Sequence, residues 1–561
     1  MQKKKTLATV VFIFGIAGSS CSSGTPLTST KTNASSLIDV DKVPAFVPND
    51  DYGRGLWEST KQVYALRQFR PAWLAQGIVG SSADAALRVL EDAPSEGLKP
   101  EDFGVGDLRR LQESVKTSGN AGAQNEFDTH LTYALVRYVS QLCLGRIDPR
   151  AVDPQWPQVQ SNCDVSRIVN DAAEGNTVAR LADQLSPKIP EFQGLRSSLK
   201  RYREIAAVPP GSELPGTLAL LGDLPNPSDG SAPSRKELNE AIRHFQKRNG
   251  LEPDGRLGKK TMDALNVPIA QRIEQIEINM DRMRWIAPRL ESQHIRVNIP
   301  GFQLAVHDGD QVALQMRAIV GSTESPTPVL DDAMEYLVFS PYWNIPLSIA
   351  TKEFLPKIQM DLSYLKRENL EVVRVLKDKV EVVDPSKINW HKESDLGGYQ
   401  LRQKPGATNA LGLVKFIFPN GYDVYLHDTP SGNLFDRLTR TLSHGCVRVE
   451  RPAELAGYLL QDQPEWTPEL IAEAMHAEKE KRVPLKMPMP IHLLYWTAWT
   501  DSEGILQFRD DVYGYDQKQR ELGSGTIPLP AAYAPNVDMH KVGTRIVAYA
   551  SNLHRQGGLS D

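Results

Sequence analysis

At Gln293 the apolar residues of this chain stop recurring every three or four positions and begin to alternate. Upstream, from Leu56 to about Arg203, segments such as Ala85–Leu90 and Thr129–Tyr138 keep the helical period. Downstream, Ile295–Ile299, Gln303–Val306, Val312–Met316 and Arg317–Val320 read as short strands, broken by turns at Pro300–Gly301 and Asp308–Gly309. Leu413–Phe418 and Tyr422–His427 resume the alternation, so residues 293 to 450 form a β-rich domain. Between Ile349 and Gln400 the text is charged and mixed, which predicts a helical or irregular insertion over the site. A length of 561 residues exceeds what one core serves. The chain is therefore a multidomain α+β protein of about three or four domains.

The formal net charge of -5, with both signs interspersed, leaves no basic footprint, and a nucleic-acid partner is excluded. The first residues combine Lys3–Lys5, an apolar run from Leu7 to Ala17 and the small residues Gly18–Ser20 before Cys21. This is an export signal over residues 1–21, too short to span a bilayer. It resembles a bacterial lipoprotein signal, with Gly18 where Leu is usual. That resemblance implies a lipid on Cys21 and an outer-membrane anchor facing the periplasm; cleavage near Ser20 would instead give a soluble periplasmic protein. Residues 22–50, rich in Ser, Thr, Asn and Pro, read as a tether. Export also means an oxidising compartment. Cys143 and Cys163 either pair, leaving Cys446 free, or Cys143 is simply a buried thiol.

Residues 51–214 read as a helical scaffold without a catalytic cluster; Gly104-Val-Gly106 lacks the strand and third glycine of a nucleotide loop. A loop at Pro225–Gly230 leads to a helix over Glu237–Lys247, a tight turn at Asp254–Gly255 and a second helix for which Thr261 is the expected cap. The glycine spacing from Gly255 to Thr261 is wrong for phosphate binding. Residues 215–270 resemble the type 1 peptidoglycan-binding module, a small helical domain.

The chemistry concentrates in His427-Asp-Thr-Pro430 and Ser443-His-Gly-Cys-Val-Arg448. A thiol becomes a useful nucleophile when an imidazole or a helix amino terminus favours its thiolate. Cys446 has His427 at the end of a strand pattern and an expected helix over Glu450–Leu460 just after it. His444, two residues from the thiol, is awkward as a base and better suited to shaping the wall or supporting the loop. The amides of Gly445 and Cys446, with a third from Tyr425, are candidate oxyanion donors. Arg448 either grips a substrate carboxylate or pairs with Glu450 or Glu454. Zinc on His427, His444 and Cys446 would lack a fourth ligand, so no metal is expected.

These motifs resemble the signature of the L,D-transpeptidases of the YkuD-domain family. Supporting text includes Gly321 with Thr327–Pro328, Tyr342–Pro346, Pro405–Gly406 with Asn409–Gly412, Tyr495–Trp499 and Phe508–Gly514, and the whole layout is similar to the large periplasmic YcbB-like subgroup. The resemblance implies a mainly β catalytic domain over 271–483, capped by the 349–400 insertion, with a carboxyl-terminal extension over 484–561. It implies Cys446 as nucleophile and His427 as base, held by the backbone carbonyl of Asp428. Trp343, Asn409 and Ser443 join Arg448 as substrate-binding candidates. The implied substrate is the tetrapeptide stem of peptidoglycan, as donor and as acceptor, processed through a thioester to a 3→3 cross-link with release of D-Ala and no cofactor. Acylation by carbapenems is a further family trait. Alternatives are an L,D-carboxypeptidase, an enzyme attaching an outer-membrane lipoprotein to the wall, and a non-catalytic wall-binding scaffold.

Overall fold

The computed structural model describes residues 37–159, 162–207, 214–225, 232–377, 379–391 and 398–523. The export signal, Cys21, the start of the tether, most of the Pro225–Gly230 loop and the tail beyond 523 lie outside the described residues.

The helical scaffold is built around Ala121–Leu144, whose Phe127, Leu131, Leu135, Val139 and Leu142 are buried on nearly every side. Helices Asp51–Leu66, Val105–Ser118 and Val165–Glu174 surround it, and a two-residue hairpin of β1 (Leu74–Ala75) and β2 (Ile78–Val79) lies at its edge. The buried Asp128 carboxylate accepts from the Ala72 and Trp73 amides and the Tyr64 hydroxyl, so its burial leaves no unmet acceptor. Cys143 and Cys163 are joined in a disulfide, which decides between the two readings of that pair.

In the small module, helix Arg235–Arg248 opens with a capping box in which Ser234 and Glu237 satisfy each other's amides. The side chain of Gln246 then pins the tight turn: its Nε2 reaches Asp254, the Arg256 carbonyl and Thr261, while its Oε1 accepts from the Gly255 amide. Thr261 is not the expected cap. Helix Lys259–Leu265 starts from Gly258, and Thr261 lies inside it as the buried acceptor that Gln246 requires.

Helix Ile269–Ile286 couples this module to the rest. Its Asp281 receives Arg146 and Arg284, its Glu277 receives Arg203, and its Arg282 reaches Asp516. Both Arg284 and the Glu96 it faces are fully buried. Removing one partner of such a network strands the other in a low dielectric, so these contacts fix orientation more than they add stability.

The β domain contributes β3 (Gln293–Asn298), β4 (Gln303–Asp308), β5 (Gln311–Gly321) and β6 (Leu330–Phe339) before the insertion. The insertion carries short helices and its own sheet of β7 (Trp343–Asn344), β8 (Leu370–Leu376), β9 (Lys379–Val383) and β10 (Gln400–Gln403) in the order β7-β10-β8-β9. It is therefore not merely helical or irregular. β11 (Val414–Ile417), β12 (Leu426–His427), β13 (Thr441–Ser443), β14 (Val447–Val449) and β15 (Lys481–Leu494) complete the main sheet, ordered β13-β5-β14-β12-β11-β6-β15-β3-β4. The long β5 also pairs with β4, which curls the sheet closed around Val297, Leu304, Phe339, Phe416 and Ile491. Two expected strands, Val312–Met316 and Arg317–Val320, are this one element. β15 crosses the boundary drawn at residue 483: it runs on to Leu494, and Ile491, His492 and Leu493 pair with both β6 and β3, with Ile491 and Leu493 in the core. β16 (Ala498–Thr500) and β17 (Leu506–Phe508) follow as a hairpin packed on helix Pro190–Ala206.

Candidate active site

β12 and β14 run parallel, with Leu426 opposite Val447 and His427 opposite Arg448. Leu426 and Val447 are wholly buried in the core, so the pleat sends His427 and Arg448 to the other face. Cys446 immediately precedes Val447 and shares the face of Arg448, while Tyr425, whose carbonyl accepts from the Val447 amide, stands opposite it. The Tyr425 and His427 rings are 5.8 Å apart. Two short strands thus gather thiol, imidazole, phenol and guanidinium on one patch.

His427 is 4% exposed, and its Nδ1 lies 2.5 Å from the Asp428 carbonyl. A carbonyl only accepts, so Nδ1 carries the proton and Nε2 is left bare. Burial, and after it the Arg448 guanidinium, lowers the imidazole to about 3 against the pull of the Asp428 and Leu411 carbonyls. Burial likewise pushes the Cys446 thiol up, opposed by the backbone and side chain of Tyr425 and by Arg448. The thiol itself points to the Asp423 carbonyl at 3.7 Å, presented by a residue at φ 55°. The resting pair is therefore a neutral thiol and a neutral imidazole, not the ionised sulfur expected. Helix Pro452–Leu459 begins only after β14.

The loop between β13 and β14 is braced from within and from outside. Ser443 Oγ donates to the Cys446 carbonyl at 2.5 Å and accepts from the Gly445 amide at 3.2 Å. Gly445 sits at φ 115°, where a side chain is strained. Its carbonyl accepts from Thr327 Oγ1 at 2.7 Å, which in turn accepts from the Gly321 amide at 2.8 Å. Tyr513 closes the chain, donating to the Gly321 carbonyl at 2.6 Å and accepting from the Thr327 amide at 3.2 Å.

Three stretches of the chain match known protein families. Residues 292–475 match the family model described as "L,D-transpeptidase catalytic domain" (YkuD), residues 58–199 match "Scaffold domain", and residues 216–265 match "Putative peptidoglycan binding domain". Residues 292–475 are thus a YkuD L,D-transpeptidase catalytic domain. A Haemophilus influenzae (Rd) protein named "Putative L,D-transpeptidase" is 34% identical over 290 residues, 51% of this chain and 57% of the relative. The chain thus spans little more than half the length of that curated relative. A solved structure, "Structure of the Ldtfm-avibactam carbamoyl enzyme", aligns over 54% of this chain and 98% of its own at 10% identity and a TM-score of 0.16.

Several residues of the transpeptidase domain stand elsewhere than their motifs suggested. Ser443 and Asn409 are buried props, not groups facing a substrate: Asn409 donates to the Pro341 and Lys404 carbonyls and accepts from Leu411. The Gly445 amide is engaged by Ser443, which weakens it as an oxyanion donor. The Asp428 side chain accepts from the Leu413 and Thr429 amides and turns from the imidazole. Arg448 makes no internal ion pair among the described residues, since Glu450 is held by Arg317 and Glu454 by Arg451, and its buried Nε lacks a partner. Trp343 packs edge-on against Phe354 within the insertion. His444 is exposed and faces Glu353 of the insertion at 2.8 Å, not the thiol. Among the described residues no three ligating side chains converge on a metal-sized site.

Sequence reasoning missed Thr327 and Tyr513 as braces, Asp423 as the thiol's acceptor, and Lys415, which lies opposite His427 on β11. Alternation along Leu413–Phe418 already placed Lys415 on the polar face; only the strand register adds that this is the face of the imidazole. A cavity of about 940 Å³ lies away from the thiol, on the outer face of β3 and β4, between Arg248 of the module helix and Trp499 and Arg509.

Proposed function

We propose that this protein forms 3→3 cross-links in peptidoglycan through a thioester on Cys446. The observation that carries the reading is the shared face of Cys446 and a neutral His427 whose Nδ1 is locked by Asp428. As Cys446 Sγ attacks the carbonyl at the L-centre of the third residue of a tetrapeptide stem, His427 Nε2 takes the thiol proton. The amide of Cys446 and the Tyr425 side chain face the developing oxyanion. The tetrahedral intermediate collapses, the bond to D-Ala breaks, and the proton on Nε2 passes to the departing amine. A second stem's amine then attacks the thioester, gives its proton to His427, and restores the thiol as sulfur leaves. One peptide bond is broken and one is made, so no nucleotide is required.

The test is to incubate purified protein with tetrapeptide-rich sacculi and analyse muropeptides by mass spectrometry. Cross-linked dimers and free D-Ala are expected, with none from Cys446→Ala; dimers from that variant, or none from the parent chain, overturn the reading. D-Ala release without dimers would instead indicate an L,D-carboxypeptidase, and protein bound to the wall would indicate a lipoprotein acceptor. A carbapenem is expected to add one adduct, on Cys446. The match of residues 216–265 to a peptidoglycan-binding domain supports retention on the wall. The export signal supports a periplasmic location, on the outer membrane with Cys21 acylated and soluble without it.

A further inference from the structure

Three adjacent strands place Lys415, His427 and Arg448 in one row, by the pairings Lys415 with His427 and His427 with Arg448. Cross-strand partners point to the same face, and strands lie roughly 4.8 Å apart, so the two cations flank the base at about 9.5 Å between their Cα atoms. The neighbours of Lys415 along β11, Val414 and Phe416, are wholly buried in the opposite face. Across β6 its partner is the buried Val338.

Neither cation has an ion-pair partner among the described residues. Lys415 is half-buried, its ammonium is disfavoured by burial, and the opposing influence comes from Glu480, whose carboxylate accepts from the Tyr342 amide. Half-buried charges are ordinarily paired, and two of like sign around one imidazole repel. Such an arrangement is costly in the empty protein and is relieved when an anion occupies the row.

We propose that Lys415 is a specificity-determining residue of the donor site, binding a carboxylate of the acyl donor that lies beyond His427 from the scissile bond. The inference rests on the transpeptidase reading above. Arg448 stands beside the sulfur, and Lys415 is two strands further along the row. Lys415 thus addresses a carboxylate remote from the bond that breaks, and the row recognises a peptide carrying two separated negative charges.

The experiment measures D-Ala release by the full chain from three tetrapeptide donors: unmodified, amidated at the α-carboxylate of the second residue, and amidated at the free carboxylate of the third. The unmodified donor is expected to have the lowest KM, with one amidated donor weaker by roughly tenfold to a hundredfold. Lys415→Met should erase that preference by raising KM for the two donors that keep the recognised carboxylate and not for the one that lacks it, and Lys415→Arg should keep it. Equal losses on all three donors, or an undiminished preference in Lys415→Met, overturn the proposal while leaving the transpeptidase reading intact. Absence of D-Ala release from every donor by the parent chain counts against that reading itself. Circular dichroism of Lys415→Met establishes that the variant is folded.

Discussion

His444 Nε2 and Glu353 Oε1 meet at 2.8 Å across the seam between the catalytic loop and the insertion. One side chain moves with Gly445 and Cys446, and the other with the π-turn Ala350–Phe354. The contact therefore couples the position of the insertion to that of Cys446. Both side chains are about half exposed, at 54% and 46%, which limits the pair to roughly 0.2–1 kcal/mol. Glu353→Ala and His444→Ala should each raise amide hydrogen exchange over residues 350–360 by up to about fivefold. The double variant should exchange no faster than either single one; additive effects would mean that the contact does not couple the two segments.

Acid should act through His427. Its imidazole is held at about 3 in the folded chain against roughly 6.5 when unfolded. Between those values the unfolded chain binds the extra proton, so this contribution is full above about pH 6.5 and is lost as pH falls toward 3. The Tm advantage of the parent chain over His427→Gln should accordingly shrink on going from pH 7 to pH 4.5. In addition, kcat/KM should lack an inflection near pH 6.5. A full-amplitude inflection there would place an imidazolium in the resting site.

Tyr513 lies far from the motif in sequence, yet its hydroxyl holds both Gly321 and Thr327 behind the catalytic loop. Tyr513→Phe leaves a carbonyl and an amide unmet at a cost of roughly 1–3 kcal/mol. We expect kcat to fall about tenfold with KM little changed, since the loss is of positioning. A variant with parental kcat would show that Thr327 suffices alone.

Replacing Cys143 and Cys163 together by Ser should lower the stability of the scaffold by about 3 kcal/mol, the usual scale for a loop of this length. The crosslink joins the end of helix Ala121–Leu144 to the segment before helix Val165–Glu174, away from the thiol. Acylation of Cys446 should therefore proceed at an unchanged rate at 25 °C, while thermal unfolding moves down by several degrees. An unchanged Tm would be the contrary result.

The helical scaffold and the β domain were legible because Leu131, Leu135 and Leu142 keep one period while Ile295, Val297 and Leu304 keep the other. The sheet of the insertion was hidden: Val375, Val380 and Val382 are all exposed, so β9 and the end of β8 show no buried alternate face. Cys446 and His427 were singled out from residue types and spacing, but the state of the thiol was not legible, because its burial is a tertiary fact. Ser443 and Asn409 looked like polar groups near a site, and only their carbonyl partners reveal them as internal props.

β15 runs through the middle of the main sheet, with β6 on one side and β3 on the other. During synthesis, β6 is made about 150 residues before the strand that completes it, and β3 earlier still. The nascent chain must keep two open, apolar sheet edges from pairing with a neighbour until residues 481–494 emerge. A product truncated just upstream of that segment would carry every motif of the thiol site and lack the platform on which it stands.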